Sequence, residues 1–377
     1  MNAIAFDCGK PPSARSRKGS VPDEDFREST LRCRDEIVDR IRASFHASCP
    51  PTSLRVGGLE ASYWSLVFRV GCLECGTGQF VKVPKAEWHD WDIVTITSDH
   101  QSLKMAQNEF RSLEELYAFS SGLEDAFGAI KPLAYWPEYN AIITELAYGR
   151  DLYELCREDT PLWRQGLSPS TKGLLRDCGV WLSMFHQSRS ILGPRNCVPA
   201  DTLTSVDIDI QFMLKNGLPR SMAASLRDRL RNLHTPFACR RARSVSGFEV
   251  RNVLVSEGRL IILDPGEIQE GCVFDDVARF LVSLDALYWG TPRFLLPLPL
   301  GKEMRDAFLE GYRAYAPLDA HALWLGEIKQ FVWYWKEAYA VLAIKDYSRP
   351  VRSLVRKLYI DRFYSKAVIN RLEALGG

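Results

Sequence analysis

Two short apolar runs, Val253-Leu254-Val255 and Leu260-Ile261-Ile262-Leu263, flank the polar stretch Ser256-Glu257-Gly258. Their natural reading is a tight β-hairpin. Asn252 stands where the first strand begins and Asp264 where the second one ends. An amide and a carboxylate at the open end of a hairpin suit a hard cation that carries phosphates. The same pattern also describes an ordinary surface hairpin with a polar rim, so the rest of the chain has to discriminate.

At 377 residues the chain is long enough for two or three structural units and a sizeable core. Lys and Arg (48) balance Asp and Glu (47), which leaves no global field to draw in nucleic acid or an anionic membrane. Any phosphate binding must be local. The longest apolar run, Phe294 to Leu300, contains two prolines and is far too short for a membrane span. No secretory signal is recognisable at the N-terminus, so the ten scattered cysteines read as free thiols of a cytoplasmic protein. Cys72 and Cys75 form one C-x-x-C without a second pair, which disfavours zinc.

Residues 1–28 are polar and charged and are expected to form a disordered arm. A lead-in helix is predicted from Ser29 to His46. Gly57-Gly58, followed by the small Ser62, would let backbone N–H groups approach an anion. Lys82 lies between Val81 and Val83 in a predicted strand, and Glu109 lies beside the apolar face of a helix predicted over Leu103–Phe119. Two readings stand for this pair: a solvated lysine and an exposed glutamate, or a buried lysine held by the helix carboxylate. The residues between them are expected to carry an extra loop (86–107). Two further strands, Ala129–Trp136 and Ala141–Leu146, end in a linker through Gly149 that reads as a hinge at 148/149. Residues 29–148 then form a first domain, and 149–377 a mainly helical one that carries the hairpin segment (245–276) and a helical extension (about 300–377).

In the helical part, His186 closes an apolar stripe and reads as a packed core residue rather than a catalytic base. The aromatics from Trp324 to Tyr339 likewise read as core. The acidic residues Asp264, Glu267, Glu270, Asp275 and Asp276 follow the hairpin closely, and on charge alone they suggest a cationic or sugar-like acceptor.

In this order, the glycine turn, strand lysine, helix glutamate, hinge, Asn-bearing hairpin and strand-end aspartate resemble the aminoglycoside phosphotransferase and choline kinase branch of the protein-kinase-like fold. The resemblance covers roughly residues 55–290. It implies an α+β, two-lobed fold, with a small antiparallel sheet and one helix in the first lobe and a larger helical second lobe. It also implies ATP and Mg2+ as cofactors. Lys82, supported by Glu109, would meet the phosphates; Gly57, Gly58, Ser62, Glu145 and Ala147 would line the nucleotide; Asn252 and Asp264 would be the metal ligands. Val245 to Asn252 aligns with the catalytic loop, and Asp276-Val277-Ala278 with an Asp-Leu-Ala motif.

One departure bears on activity. The family's catalytic aspartate, five positions before the asparagine, falls on Gly247. Three readings follow: a phosphotransferase whose base has moved to Glu249, a pseudokinase that binds nucleotide and acts through a protein partner, or an interaction module.

Overall fold

The computed structural model describes residues 28–44, 53–62, 64–72, 76–87, 90–123, 126–159, 166–188, 190–197, 199–233, 237–288, 300–344 and 347–376. The expected N-terminal arm, apart from Glu28, lies outside the described residues, as does Cys75.

The chain begins with α1 (Glu28–Ser44), β1 (Leu54–Val56), β2 (Glu60–Ala61), β3 (Ser65–Cys72) and β4 (Gly78–Pro84). Next come α2 (Ile93–Ser98), α3 (His100–Ser120), β5 (Phe127–Ala129), β6 (Pro132–Trp136), β7 (Ala141–Glu145), β8 (Arg150–Asp151) and α4 (Leu152–Glu158). They are followed by α5 (Pro169–Ser188), β9 (Ser190–Cys197), α6 (Pro199–Lys215), α7 (Arg220–Arg231) and β10 (Phe237–Val245). β11 (Val253–Ser256), β12 (Arg259–Ile262) and β13 (Ile268–Cys272) lead into α8 (Val273–Asp285), α9 (Leu300–Arg313) and α10 (Ala320–Ile344). The last run is α11 (Arg349–Val355), a π-helical stretch (Arg356–Asp361) and α12 (Arg362–Gly376). These elements divide into two compact units: residues 28–152 with Asn252–Ile268, and the remainder from Tyr153.

The first unit is built on an antiparallel sheet ordered β1-β3-β4-β7-β6, with β2 also paired to β3. Side chains alternate across a strand, which assigns each residue a face. Val81 and Val83 of β4 join Ala141 and Ile143 of β7 in one core, which α1 (Ile37, Ile41) and α2 (Ile93, Ile96) cover. Ile142 turns the other way and packs with Ala106 and Leu113 of α3. Helices therefore cover the sheet on both sides. The expected extra loop at 86–107 instead holds α2 and the first turns of α3. Asp92 caps α2 through Val94 N–H, and Asp99 caps α3 through the N–H groups of Gln101 and Ser102.

The hairpin also belongs to this unit. β11 and β12 pair in register from Val253↔Ile262 to Ser256↔Arg259, closed by Glu257 (φ 52°) and Gly258 (φ 82°) as a two-residue turn. Of the segment 245–276 expected in the helical domain, Asn252–Ile268 therefore joins the first unit, while 245–251 and 269–276 stay with the helical one. The reason is strand pairing: β12 runs parallel to β5, and β11 pairs with β8.

The second unit is mainly helical. α8 is buried along most of its length, and Phe280 stacks between Phe248 (centroids 5.1 Å) and Phe308 (4.3 Å), with Trp181 beyond Phe248 at 5.0 Å. Phe331, Trp335 and Tyr339 of α10 lie in a core shared with α6, α7 and α12. α5 and α9 touch main chain to main chain. A Cβ on Gly179 would fall 2.1 Å from the Phe308 carbonyl oxygen, and one on Gly311 1.9 Å from that of Arg176. Cys239 and Cys272 form a disulfide between β10 and β13, whose Cα atoms are 6.0 Å apart, so the expectation of free thiols fails for this pair. Among the described residues no helix is long and apolar enough to cross a membrane.

Candidate functional site

Because Val81 and Val83 face α1 and α2, Lys82 must face α3. There its Nζ lies 2.6 Å from Glu109 Oε1 and 2.7 Å from Asp264 Oδ2. Burial works against the lysine charge, but Asp264 and Glu109 together outweigh it and raise the Lys82 pKa above its ordinary value. For Glu109 the balance goes the other way. Burial pushes its carboxyl up to about 7, aided by the nearby Asp264 charge, although Lys82 pulls it down.

Asp264 is held from its own backbone as well. Its Oδ1 accepts from Gly266 N–H at 3.0 Å, and Gly266 takes a left-handed conformation (φ 59°) to allow it. The Leu263 N–H donates to the Asn252 carbonyl at 2.9 Å, which ties the two ends of the hairpin together. Asn252 Nδ2 lies 3.5 Å from the Asp264 carbonyl oxygen, so both side chains sit at the same open end. Among the described residues no three His, Cys, Asp or Glu cluster to make an all-protein metal cage. An amide oxygen and one carboxylate are instead the hard donors that suit Mg2+, which keeps water and phosphate oxygens for its other positions.

The predicted glycine turn differs from expectation. Gly57 and Gly58 link β1 to β2, which run in line along β3, and the Gly57 N–H donates to the Arg69 carbonyl at 2.8 Å. A donor used in the sheet is not free for an anion. The hairpin turn falls later, where Ser62 N–H donates to the Ser65 carbonyl and the two hydroxyls lie 3.2 Å apart. Glu145 ends β7, and its side chain accepts from Lys131 N–H at 3.1 Å. Ala147 follows, packed against the cluster of Ile130, Ile142 and Leu263. Its N–H has no hydrogen-bond partner among the described residues.

In the second unit, the segment Val245–Arg251 is anchored at several points. Asp276 is buried and accepts from Val245 N–H (2.6 Å), the Ser244 hydroxyl and His186 Nε2 (2.9 Å). His186 Nδ1 in turn meets the Tyr312 hydroxyl at 2.9 Å. Val250 N–H donates to Ser283 Oγ, Phe248 is fully buried, and Arg251 covers the Tyr153 ring at 3.7 Å. Gly247 lies inside this pinned segment and supplies no side-chain acceptor. Glu249 is engaged by Arg279 at 3.4 Å and by the Tyr334 hydroxyl, while Arg279 also lies over the Trp333 ring at 3.8 Å. Both carboxylate oxygens of Glu249 thus have partners within the second unit, Oε1 on Arg279 and Oε2 on Tyr334.

The acidic run after the hairpin is likewise consumed internally. Asp264 pairs with Lys82, Glu267 accepts from Asn108 (3.0 Å), Glu270 pairs with Arg241 (2.7 Å) and Asp275 with Lys329 (3.1 Å), while Asp276 is the buried acceptor just described. Charge alone therefore no longer argues for a cationic acceptor. The sequence reading missed Arg279, Ser244 and Tyr312. An arginine three residues past Asp276, in a helix whose other residues from Val277 to Leu284 carry no charge, was the available signal for the first.

No family model matches this chain, and no curated protein sequence does. Solved structures do. The macrolide 2'-phosphotransferase from Brachybacterium faecium superposes with a TM-score of 0.53 at 13% identity, covering 86% of this chain and 98% of that one. An amicoumacin kinase in complex with AMP-PNP and Ca2+ gives 0.52 at 13% identity, with 90% and 95% covered. Choline kinase from Streptococcus pneumoniae gives 0.50 at 14% identity, with 91% and 99% covered. With its antiparallel sheet, half-buried lysine and helical second unit, the chain has the α+β protein-kinase-like fold in the form found in antibiotic and choline kinases.

Proposed function

We propose that this chain binds Mg-ATP and is a small-molecule phosphotransferase acting on a hydroxyl acceptor. The carrying observation is Lys82 held between Glu109 and Asp264. A half-buried cation fixed by a helix carboxylate, next to a hairpin with Asn252 and Asp264 at its open end, is what a triphosphate with its metal needs. In this reading Lys82 meets the phosphates, Asn252 and Asp264 hold Mg2+, and the unpaired Ala147 N–H meets the base. The ion would neutralise charge on the transferring phosphoryl group. Nucleotide and divalent ion in the similar amicoumacin kinase support the reading. The acceptor differs from one similar kinase to the next, so the class reached is a hydroxyl-bearing small molecule.

With Gly247 and an engaged Glu249, transfer rests on positioning and charge neutralisation without a carboxylate base, and lack of such a base costs about 10²–10⁴ in rate. The same observation favours a second reading, a nucleotide-binding protein without transfer that acts on a protein partner. Calorimetric titration with Mg-ATP tests the binding: wild type binds, and Lys82→Met and Asp264→Asn lose it. Absence of binding in the wild type overturns both readings. Gly247 is not among the left-handed glycines of the described residues (Gly76, Gly217, Gly258, Gly266), so its φ does not require a glycine. Gly247→Asp should raise ATP turnover by about two orders of magnitude or more. No turnover in either protein leaves the second reading.

A further inference from the structure

The helical run Arg349–Gly376 uses one face for the core. Val355, Ile360, Tyr364, Val368 and Leu372 are buried against α10 and its neighbours. The opposite face holds Leu354 (57% exposed) and Leu358 (50%), flanked by Val351 (39%) and Tyr359 (41%). Scattered surface leucines are ordinary, but four of the twelve large exposed hydrophobics among the described residues fall here within nine residues. Leu354, Leu358, Arg362 and Lys366 follow at four-residue intervals and are all exposed. The π-helical stretch lies in the middle of the row, a feature frequent at functional sites.

The charge on this run is one-sided. Residues 347–376 contain seven Lys and Arg against two acids, in a chain whose net charge is +1. Both acids are engaged: Asp361 is buried on Trp335 Nε1 (3.1 Å) and the Tyr339 hydroxyl (2.7 Å) and pairs with Arg356 (3.8 Å), and Glu373 pairs with Arg229. Arg349, Lys357, Arg362 and Lys366 are exposed and make no ion pair among the described residues.

We propose that this face docks on the surface of an anionic lipid bilayer, with Leu354 and Leu358 entering the headgroup boundary and the four cations meeting lipid phosphates. A convex helix with apolar residues at its crest and cations at its flanks has the shape of an interfacial helix, whereas a protein partner would have to offer an acidic groove. Each cation near such a surface contributes about fivefold to affinity. This inference is independent of the nucleotide site.

Flotation of the full chain with vesicles tests it. The protein should float with phosphatidylcholine vesicles containing phosphatidylglycerol, stay behind with phosphatidylcholine alone, and be released by high salt. Leu354→Ser with Leu358→Ser, and separately Lys357→Glu with Arg362→Glu, should each weaken binding by about tenfold or more. These residues are exposed, so both variants should keep the wild-type melting temperature. Failure to float with anionic vesicles overturns the proposal, as does wild-type flotation of either double variant. Capture of an acidic protein by a chain that binds no vesicle counts as such a failure.

Discussion

Lys82 Nζ lies within 2.7 Å of Asp264 Oδ2 while also holding Glu109 Oε1 at 2.6 Å, so one half-buried cation serves two carboxylates 155 residues apart in sequence (109 and 264). The Asp264 contact spans a sequence separation of 182 from Lys82, and strand pairing of the hairpin brings it there. In the proposed reading, a cation held by Asp264 would compete with Lys82 for the same carboxylate and would free the lysine toward phosphate.

The Glu109 carboxyl, raised from 4.5 to about 7 chiefly by burial, gives a pH dependence with a defined sign. The folded state retains a proton that the unfolded chain releases, so the stabilisation is complete below about 4.5 and is lost as pH rises through about 7. Denaturant unfolding from pH 4 to 8 should show this fall superimposed on other titrations. Glu109→Gln, which does not titrate, should lose that component. An identical pH slope in the variant would contradict the assignment.

Glu249→Gln separates an ion-pair role from a base role. The substitution leaves Arg279 buried without its carboxylate and should cost about 3 kcal/mol of stability, with Mg-ATP affinity unchanged. Thermal melts with and without nucleotide provide the measurement. A variant with wild-type melting but abolished turnover would restore Glu249 as the base.

Asp276→Ala removes the acceptor shared by Val245 N–H, Ser244 and His186. Leaving these donors buried and unpaired should cost about 3 kcal/mol or more. Amide exchange at residues 245–251 should speed up more than exchange in α10, because the loss is at the entry to that segment. Equal acceleration throughout would show that Asp276 acts only on global stability.

The Cys239–Cys272 bond closes a loop that contains Gly247, Asn252 and Asp264. Reduction should lower stability by about 2–4 kcal/mol through the freedom the unfolded chain regains. Cys239→Ser should melt like the reduced wild type and no longer respond to reductant. Unchanged unfolding of wild type under reducing conditions would show that the bridge contributes nothing.

The fold class was legible because its cues are local. The hairpin is marked by β-branched runs around a glycine turn, and the helical half by apolar stripes. Lys82 is instructive: a lysine between two valines reads as solvated or buried with equal ease. The sequence could not show that α1 and α2 would cover the valine face and leave Lys82 facing α3. Pairing across distance was also hidden. Glu249 looked available until Arg279 and Tyr334 were placed beside it, and the acidic run looked like a surface until Asn108, Arg241 and Lys329 were found on it. The Gly57 N–H was hidden for a related reason, since glycine marks a bend without saying whether its N–H is needed in the sheet.

The contact of α5 with α9 through Gly179 and Gly311 reaches further than packing. His186 lies two turns along from Gly179, and Tyr312 adjoins Gly311, so the bond between them is set by helices touching at their main chains. Side-chain packing yields to substitution by small shifts, but a gap with no side chain in it has no such slack. From His186 the setting passes to Asp276 and then to Val245. The entry to the Gly247 segment is thus indexed against two backbones, like a gear cut to a fixed pitch.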